Sequence, residues 1–252
     1  MGKETGISWT NHTHNFWWGC TKVSPGCAHC YAETMASRYG HDIWGPGKPR
    51  RTFADKHNKE PLHWDFNAWK SGIRETVFCG SMMDWCDDEA PQAERDKLWP
   101  LVKKTKNLIW LMLTKRPQNI KKYLPPDWSK DNYPNVAMGC TIENNDYADR
   151  AKDLTAIDAY IHFISAEPLL GPLDKLDLTG IDWIIVGGES GTGWRKMEEK
   201  WATDLRDRCQ AQGVSFFYKQ DNGQYSGMNP YLEGKEYKQF PERFSLPIWK
   251  EE

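Results

Sequence analysis

The stretch Leu108-Ile109-Trp110-Leu111-Met112-Leu113-Thr114-Lys115-Arg116 decides the architecture. Six apolar residues in a row, ending abruptly in polar and cationic ones, read as a short strand covered on both faces, the pattern of a parallel sheet. Similar runs occur on either side: Thr76-Val77-Phe78-Cys79, Val136-Ala137-Met138-Gly139, Tyr160-Ile161-His162-Phe163-Ile164, Trp183-Ile184-Ile185-Val186 and Val214-Ser215-Phe216-Phe217-Tyr218. Most are separated by helical patterns, over Gln92 to Lys104, Gln118 to Tyr123, Tyr147 to Ala156 and Glu198 to Gln212. Between Leu170 and Ile181 the connection is short and punctuated by Pro and Gly, so one helix is expected to be reduced or missing. Strand and helix in alternation imply a parallel sheet with right-handed crossovers. Alternating Ile7-Ser8-Trp9-Thr10 is expected to supply a first strand.

Each apolar run gives way to polar residues: Ser81 and Asp84, Thr114-Lys115-Arg116, Thr141 and Glu143, Ser165 and Glu167, Gly187-Gly188-Glu189-Ser190, and Lys219-Gln220. A parallel α/β barrel builds its site from the carboxyl ends of its strands, whereas an open doubly wound sheet uses the ends flanking one switch point. Because every run ends this way, the expected fold is a barrel or partial barrel of about six to seven strands over residues 1–220. The Gly-, Pro- and Tyr-rich segment 221–252 is expected to wrap the surface.

The candidate site centres on Gly19-Cys20-Thr21-Lys22-Val23-Ser24-Pro25-Gly26-Cys27-Ala28-His29-Cys30-Tyr31-Ala32-Glu33. Ser24-Pro25 is a helix-start signal, with the hydroxyl placed to cap free N–H groups. Cys27 and Cys30 are expected in the first turn of that helix, on one face, with Cys20 reaching across from the loop and the helix ending at Gly40. Three thiols are one fewer than a closed four-thiolate site needs, so one position stays open for chemistry. The residues alone leave two readings: a redox cluster, or structural zinc completed by His12, His14 or His41. Lys115 and Arg116 are candidates to clamp a carboxylate or phosphate. Glu143, Glu167 and Glu189 read either as ligands and bases or as ion-pair partners of Lys115, Arg116 and Lys219.

Seven cysteines, an odd number with no export signal, fit a reducing compartment better than a disulfide framework, and Cys79, Cys86, Cys140 and Cys209 read as buried free thiols. A formal charge of -2 argues against a broad cationic surface for unspecific nucleic-acid binding. No apolar run approaches a membrane span, so a soluble, cytoplasmic protein is expected. Most of the 14 tryptophans read as core, with Trp17 and Trp18, beside Cys20, as candidate stacking platforms. Gly45-Pro46-Gly47-Lys48-Pro49-Arg50-Arg51 reads as a surface loop.

The cysteine segment, the Leu-Thr-Lys-Arg-Pro segment at 113–117, Ser-Ala-Glu-Pro-Leu-Leu-Gly-Pro at 165–172 and Ile-Val-Gly-Gly-Glu-Ser-Gly at 185–191 together resemble the bacteriophage and prophage three-cysteine-motif proteins, which are similar to radical S-adenosylmethionine enzymes. The resemblance spans about Ile7 to Gln220. It implies a barrel-like fold and a 4Fe-4S cluster on Cys20, Cys27 and Cys30, with S-adenosylmethionine chelated at the open iron. It also implies reductive cleavage of that cofactor to a 5′-deoxyadenosyl radical that modifies or repairs a substrate, with a nucleic-acid base or nucleotide ahead of a metabolite or peptide. An external electron donor of the flavodoxin or ferredoxin type is implied by the same resemblance. His29 stands where that superfamily usually carries an aromatic beside the adenine. Gly187, Gly188 and Glu189 resemble the segment that holds the methionine amino group, though they follow the sixth strand where the superfamily has them after the second. Ser190, Ser81, Asp84, Lys219 and Gln220 join the expected cofactor set, and Glu143, Glu167, Lys115 and Arg116 the catalytic one. The six residues between Cys20 and Cys27 exceed the superfamily's commonest spacing of three. The competing class is a zinc-stapled α/β protein that binds nucleic acid without turnover.

Overall fold

A computed structural model describes residues 5–246. Its strands are β1 (His12–Thr13), β2 (Trp17–Trp18), β3 (Arg51–Thr52), β4 (Glu75–Cys79), β5 (Leu108–Thr114), β6 (Val136–Thr141), β7 (Ile161–Ala166), β8 (Trp183–Gly187) and β9 (Ser215–Gln220). Its α-helices are α1 (Tyr31–Arg38), α2 (Glu60–Ser71), α3 (Gln92–Arg95), α4 (Leu98–Lys104), α5 (Ile120–Tyr123), α6 (Arg150–Thr155) and α7 (Glu199–Gln212). Seven strands form one parallel sheet in the order β1-β4-β5-β6-β7-β8-β9, curled into a half-barrel flanked by helices. Strands β2 and β3 pair separately and antiparallel. The order follows the chain, as expected when each connection returns on the same side.

Period two divides each strand between two cores. Val77, Trp110, Met138, Ile164, Ile184 and Phe216 belong to the layer shared with the helices. Phe78, Ile109, Leu111, Ala137, Phe163, Trp183, Ile185 and Phe217 fill the concave side. Space there is tight: a Cβ on Gly139 would lie 2.3 Å from the ring of Phe163 on the neighbouring strand. Glycine is what lets that phenyl group cross the floor of the half-barrel.

The expected first strand is displaced. Residues Ile7 to Thr10 form a turn, and pairing with β4 begins at His12, opposite Val77. Trp9 leaves the sheet and fills the concave side instead, 4.7 Å from Phe78 and edge-on to Trp183 at 6.3 Å. In a half-barrel the inner faces of distant strands need a bridge, and burying this indole supplies one. The pattern from Gln92 to Lys104 is two helices, α3 and α4. Between β7 and β8 no helix forms among the described residues, as the short connection implied. The tail beyond β9 runs back along that strand, with Tyr218 N donating to Tyr237 O at 2.8 Å and Gln239 N to Phe216 O at 3.1 Å. No helix among the described residues is long and apolar enough to cross a membrane.

Candidate functional site at the carboxyl end of the half-barrel

The inward parity of each strand continues past its end, which carries polar side chains to the mouth of the concave side. A cavity of about 400 Å3 opens there. Its floor is apolar, with Ile7, Trp9, Phe78 and Leu113. Its upper wall combines Cys20, Cys27 and Cys30 with Ser81, Asp84, Lys115, Arg116, Thr141, Ser165, Glu167, Ser190 and Lys219. The structure therefore brings all three cysteines of the segment and most of the strand-end groups to one cavity.

Six predicted site residues do not line it: Glu143, His29, Gly187, Gly188, Glu189 and Gln220. Two of these acids hold the cysteine segment in place. Glu143, wholly buried, receives the Ser24 hydroxyl and pairs with Arg150 at 2.8 Å. Glu189 accepts from Arg195 N and Nε at 2.8 and 2.9 Å and lies 3.0 Å from His29 Nδ1, while Arg195 Nη2 donates to Pro25 O at 3.0 Å. At the start of the segment, Arg116 pairs with Asp84 at 2.8 Å and donates to Thr21 O at 2.6 Å. Each corner of the segment is thus tied by an arginine and a carboxylate from a different strand end.

These ties explain several departures from expectation. Ser24 starts a 3-10 turn, Pro25–Cys27, without capping it, because its hydroxyl is committed to Glu143. Cys27 closes that turn and Cys30 is the N-cap of α1, so the two sulfurs sit on consecutive elements and not on one helical turn. Gly188 serves the protein's own tail, since a Cβ there would lie 2.3 Å from Asn222 N. Gln220 holds the same region, donating to Gly188 O at 2.9 Å and accepting from Gly227 N at 2.7 Å. Trp17 is fully buried and Trp18 carries the Arg51 guanidinium at 4.6 Å, so both are packing residues and neither lines the cavity. Arg50 of the predicted surface loop is instead buried, paired with Asp87 at 2.9 Å.

The groups that face the cavity form a graded electrostatic surface. Lys115 makes no ion pair among the described residues, and its ammonium touches only Thr141 Oγ1, at 3.4 Å. Burial pulls its pKa down, but Glu143, Cys27, Cys30 and Asp84 outweigh that and hold it above the usual lysine value. Lys219 lies 2.7 Å from Glu167 Oε1, an ion pair without hydrogen-bond alignment, so that buried oxygen keeps an unused acceptor site. Glu167 Oε2 accepts from Ser165 at 3.0 Å. Burial, then the neighbouring Asp84, push the Cys20 thiol up to about 12 against the opposing pull of Arg116, and burial also raises Cys30. Binding a cation would reverse that preference, because metal displaces thiol protons.

All seven cysteines are free, and the four outside the segment are buried, as the sequence implied. No three His, Cys, Asp or Glu side chains among the described residues converge on a point that could hold one metal ion. The histidines weighed as zinc ligands are engaged elsewhere: His12 pairs with Glu75 at 2.8 Å, His14 is buried against His57 and Asn58, and His41 packs edge-on to Trp18. Zinc needs its donors gathered at about 2.3 Å from one centre. A polynuclear cluster takes one thiolate per iron, so thiols spread around a common cavity suit it. With the unsatisfied Glu167 oxygen and the unpaired Lys115 beyond them, the donor set fits a cluster with a polar ligand beside it.

Sequence reading overlooked Tyr31 and Lys22 as lining residues, and Trp44, Met35, Met82 and Met83 as apolar wall. Tyr31 follows Cys30 directly and donates to Ser81 O at 2.7 Å. Adjacency to the cysteines was the available signal for Tyr31 and Lys22. For the methionines there was none, since an apolar side chain at a wall reads in sequence like any core residue.

Neither the curated proteins nor the solved structures hold a match to this chain. Residues 4–241, nearly its whole length, match the model of a family described as protein of unknown function (DUF5131), and the chain belongs to that family.

Proposed function

We propose that this protein is a radical S-adenosylmethionine enzyme of the three-cysteine-motif kind, with a 4Fe-4S cluster on Cys20, Cys27 and Cys30. The observation that carries the reading is the meeting of three free thiols, an unpaired lysine and a carboxylate with a spare acceptor site in one cavity at the carboxyl end of a parallel half-barrel. Such sites sit at that end of the fold. When bound, the cluster supplies the electron that cleaves S-adenosylmethionine reductively.

The chain's own groups bind, orient and exclude water. Lys115 would hold the carboxylate of S-adenosylmethionine by charge, and Glu167 with Ser165 would accept from its hydroxyls. Lys219 Nζ lies 2.7 Å from Glu167 Oε1 and orients that carboxylate towards the cavity. The side chains of Ile7, Phe78 and Leu113 in the floor offer no polar partner to water, which protects a reactive intermediate from quenching. Arg116, Glu143 and Glu189 keep the cysteine segment in place, and Glu143 and Glu189 do not line the cavity. The substrate proposed is a nucleic-acid base or nucleotide, and the electron donor an external flavodoxin- or ferredoxin-type protein.

Anaerobic reconstitution with iron and sulfide, followed by electron paramagnetic resonance after dithionite reduction, tests the reading. A reduced-cluster signal that shifts on adding S-adenosylmethionine, with 5′-deoxyadenosine formed, is expected. Cys27→Ala should lose the cluster and keep the far-ultraviolet circular dichroism spectrum. Stoichiometric zinc and no cluster signal would overturn it.

A further inference from the structure

The segment that carries Cys20 is gripped by two buried arginines. Arg116 reaches from just past β5 with one guanidinium nitrogen, Nη1, shared between Asp84 Oδ2 at 2.8 Å and Cys20 Sγ at 3.6 Å. Its other terminal nitrogen, Nη2, donates to the carbonyl of Thr21 at 2.6 Å and lies 3.6 Å from Asp87 Oδ1. Arg50 approaches from the opposite side, donating from Nη2 to Thr21 Oγ1 at 2.8 Å and to Asp87 Oδ2 at 2.9 Å. Its Nη1 is fixed by the carbonyls of Ile43, Gly45 and Lys48. Asp84 is in turn held by the Thr114 hydroxyl at 2.6 Å and the amide nitrogens of Cys86 and Lys115 at 2.9 and 3.1 Å.

Both guanidinium groups are buried, so each is held in one geometry by its carboxylates and carbonyls. A planar fork fixed in this way offers its remaining N–H in a set direction, which a lysine ammonium cannot reproduce. Cys27 and Cys30 have no comparable cationic donor on their sulfurs among the described residues; Cys27 Sγ meets the Ser24 hydroxyl, at 3.8 Å. The three thiols are therefore not equivalent.

We infer that Arg116 is a positioning residue for Cys20: it fixes the sulfur's place in the cavity wall and sets a positive charge and an N–H donor beside it, with Arg50 bracing the same segment. The inference rests on the cluster reading above. A donor and a cation at one ligand sulfur stabilise the cluster's reduced, more negative form and raise its reduction potential.

The test compares wild type, Arg116→Lys, Arg116→Gln and the charge-neutral pair Asp84→Asn/Arg116→Gln, which avoids leaving Asp84 buried and unpaired if the single variant does not fold. In the metal-free protein, hydrogen–deuterium exchange at residues 20–23 should be faster in Arg116→Gln and in the pair than in wild type. In reconstituted protein, redox titration followed by electron paramagnetic resonance should give a lower midpoint for Arg116→Gln than for wild type, with Arg116→Lys between the two at unchanged iron content; in the pair, loss of the Asp84 carboxylate opposes that shift, so its midpoint should lie above that of Arg116→Gln. Equal midpoints in all loaded proteins, or unchanged exchange at 20–23, would overturn the role of Arg116 while leaving the cluster intact. A wild type that takes up no iron would overturn the cluster reading and this inference with it.

Discussion

Glu189 illustrates how little a residue's type says about its task. It follows a strand in a Gly-Gly-Glu context and invites assignment to a ligand, yet its carboxylate is spent on Arg195 and His29. Burial would raise its pKa, but hydrogen bonds from Arg195 and His29 prevail and hold it below the ordinary 4.5. A folded-state value below the unfolded one means the pairing stabilises the protein fully above about pH 4.5 and is lost as the pH falls through the folded value. Glu189→Gln should therefore unfold at lower urea than wild type at pH 7, with the gap closing as the pH is lowered below 4.5; a constant gap would disprove the pairing. That the cysteines and Lys115 would share one cavity was legible in sequence because thiol spacing and strand-end position are local properties. The commitments of Glu143, Glu189 and Gln220 were not, because the choice between a near neighbour such as Arg150, Arg195 or Gly227, a distant segment and a ligand is made only when the chain folds.

Among elements, the strands were the most legible. Runs such as Trp183–Gly187 and Leu108–Thr114 are apolar on both faces, and only a sandwich of inner and outer cores accounts for that. Helix boundaries were less so, since α3 and α4 share one apolar pattern and divide at Asp96–Lys97 for reasons outside their periodicity. The fit between β6 and β7 gives a test at this scale. Gly139→Ala places a Cβ into the Phe163 ring and should cost about 1–3 kcal/mol in urea unfolding. Adding Phe163→Leu should recover part of the loss. If Gly139→Ala is as stable as wild type, the concave core is looser than described.

The whole molecule is a barrel left open, with a two-residue strand at one edge and β9 at the other. An exposed parallel edge invites pairing with other chains. Here the tail covers β9 through Tyr237 and Gln239, and Phe240 and Phe244 pack on Trp183 at 5.3 and 5.6 Å. Deleting residues 229–252 should uncover that edge and this aromatic face, so the truncated protein is expected to self-associate in sedimentation velocity runs where the full chain does not. An unchanged sedimentation profile, scaled for mass, would show that the tail is dispensable for guarding the edge.

Sequence by itself determined the parallel α/β class, the order of the strands, the cysteine segment as part of the cavity wall and the polar endings that meet at the mouth. All of these arise from short-range pattern: two-sided burial, turn chemistry and thiol spacing. Tertiary structure alone decided that Trp9 plugs the concave side in place of a first strand, that Gly188 makes room for the tail, and which acids line the cavity and which hold the cysteine segment. The last of these depends on pairings between residues more than a hundred positions apart, such as Ser24 with Glu143 and His29 with Glu189. A side chain's charge is local information, but the charge that neutralises it is chosen by the fold.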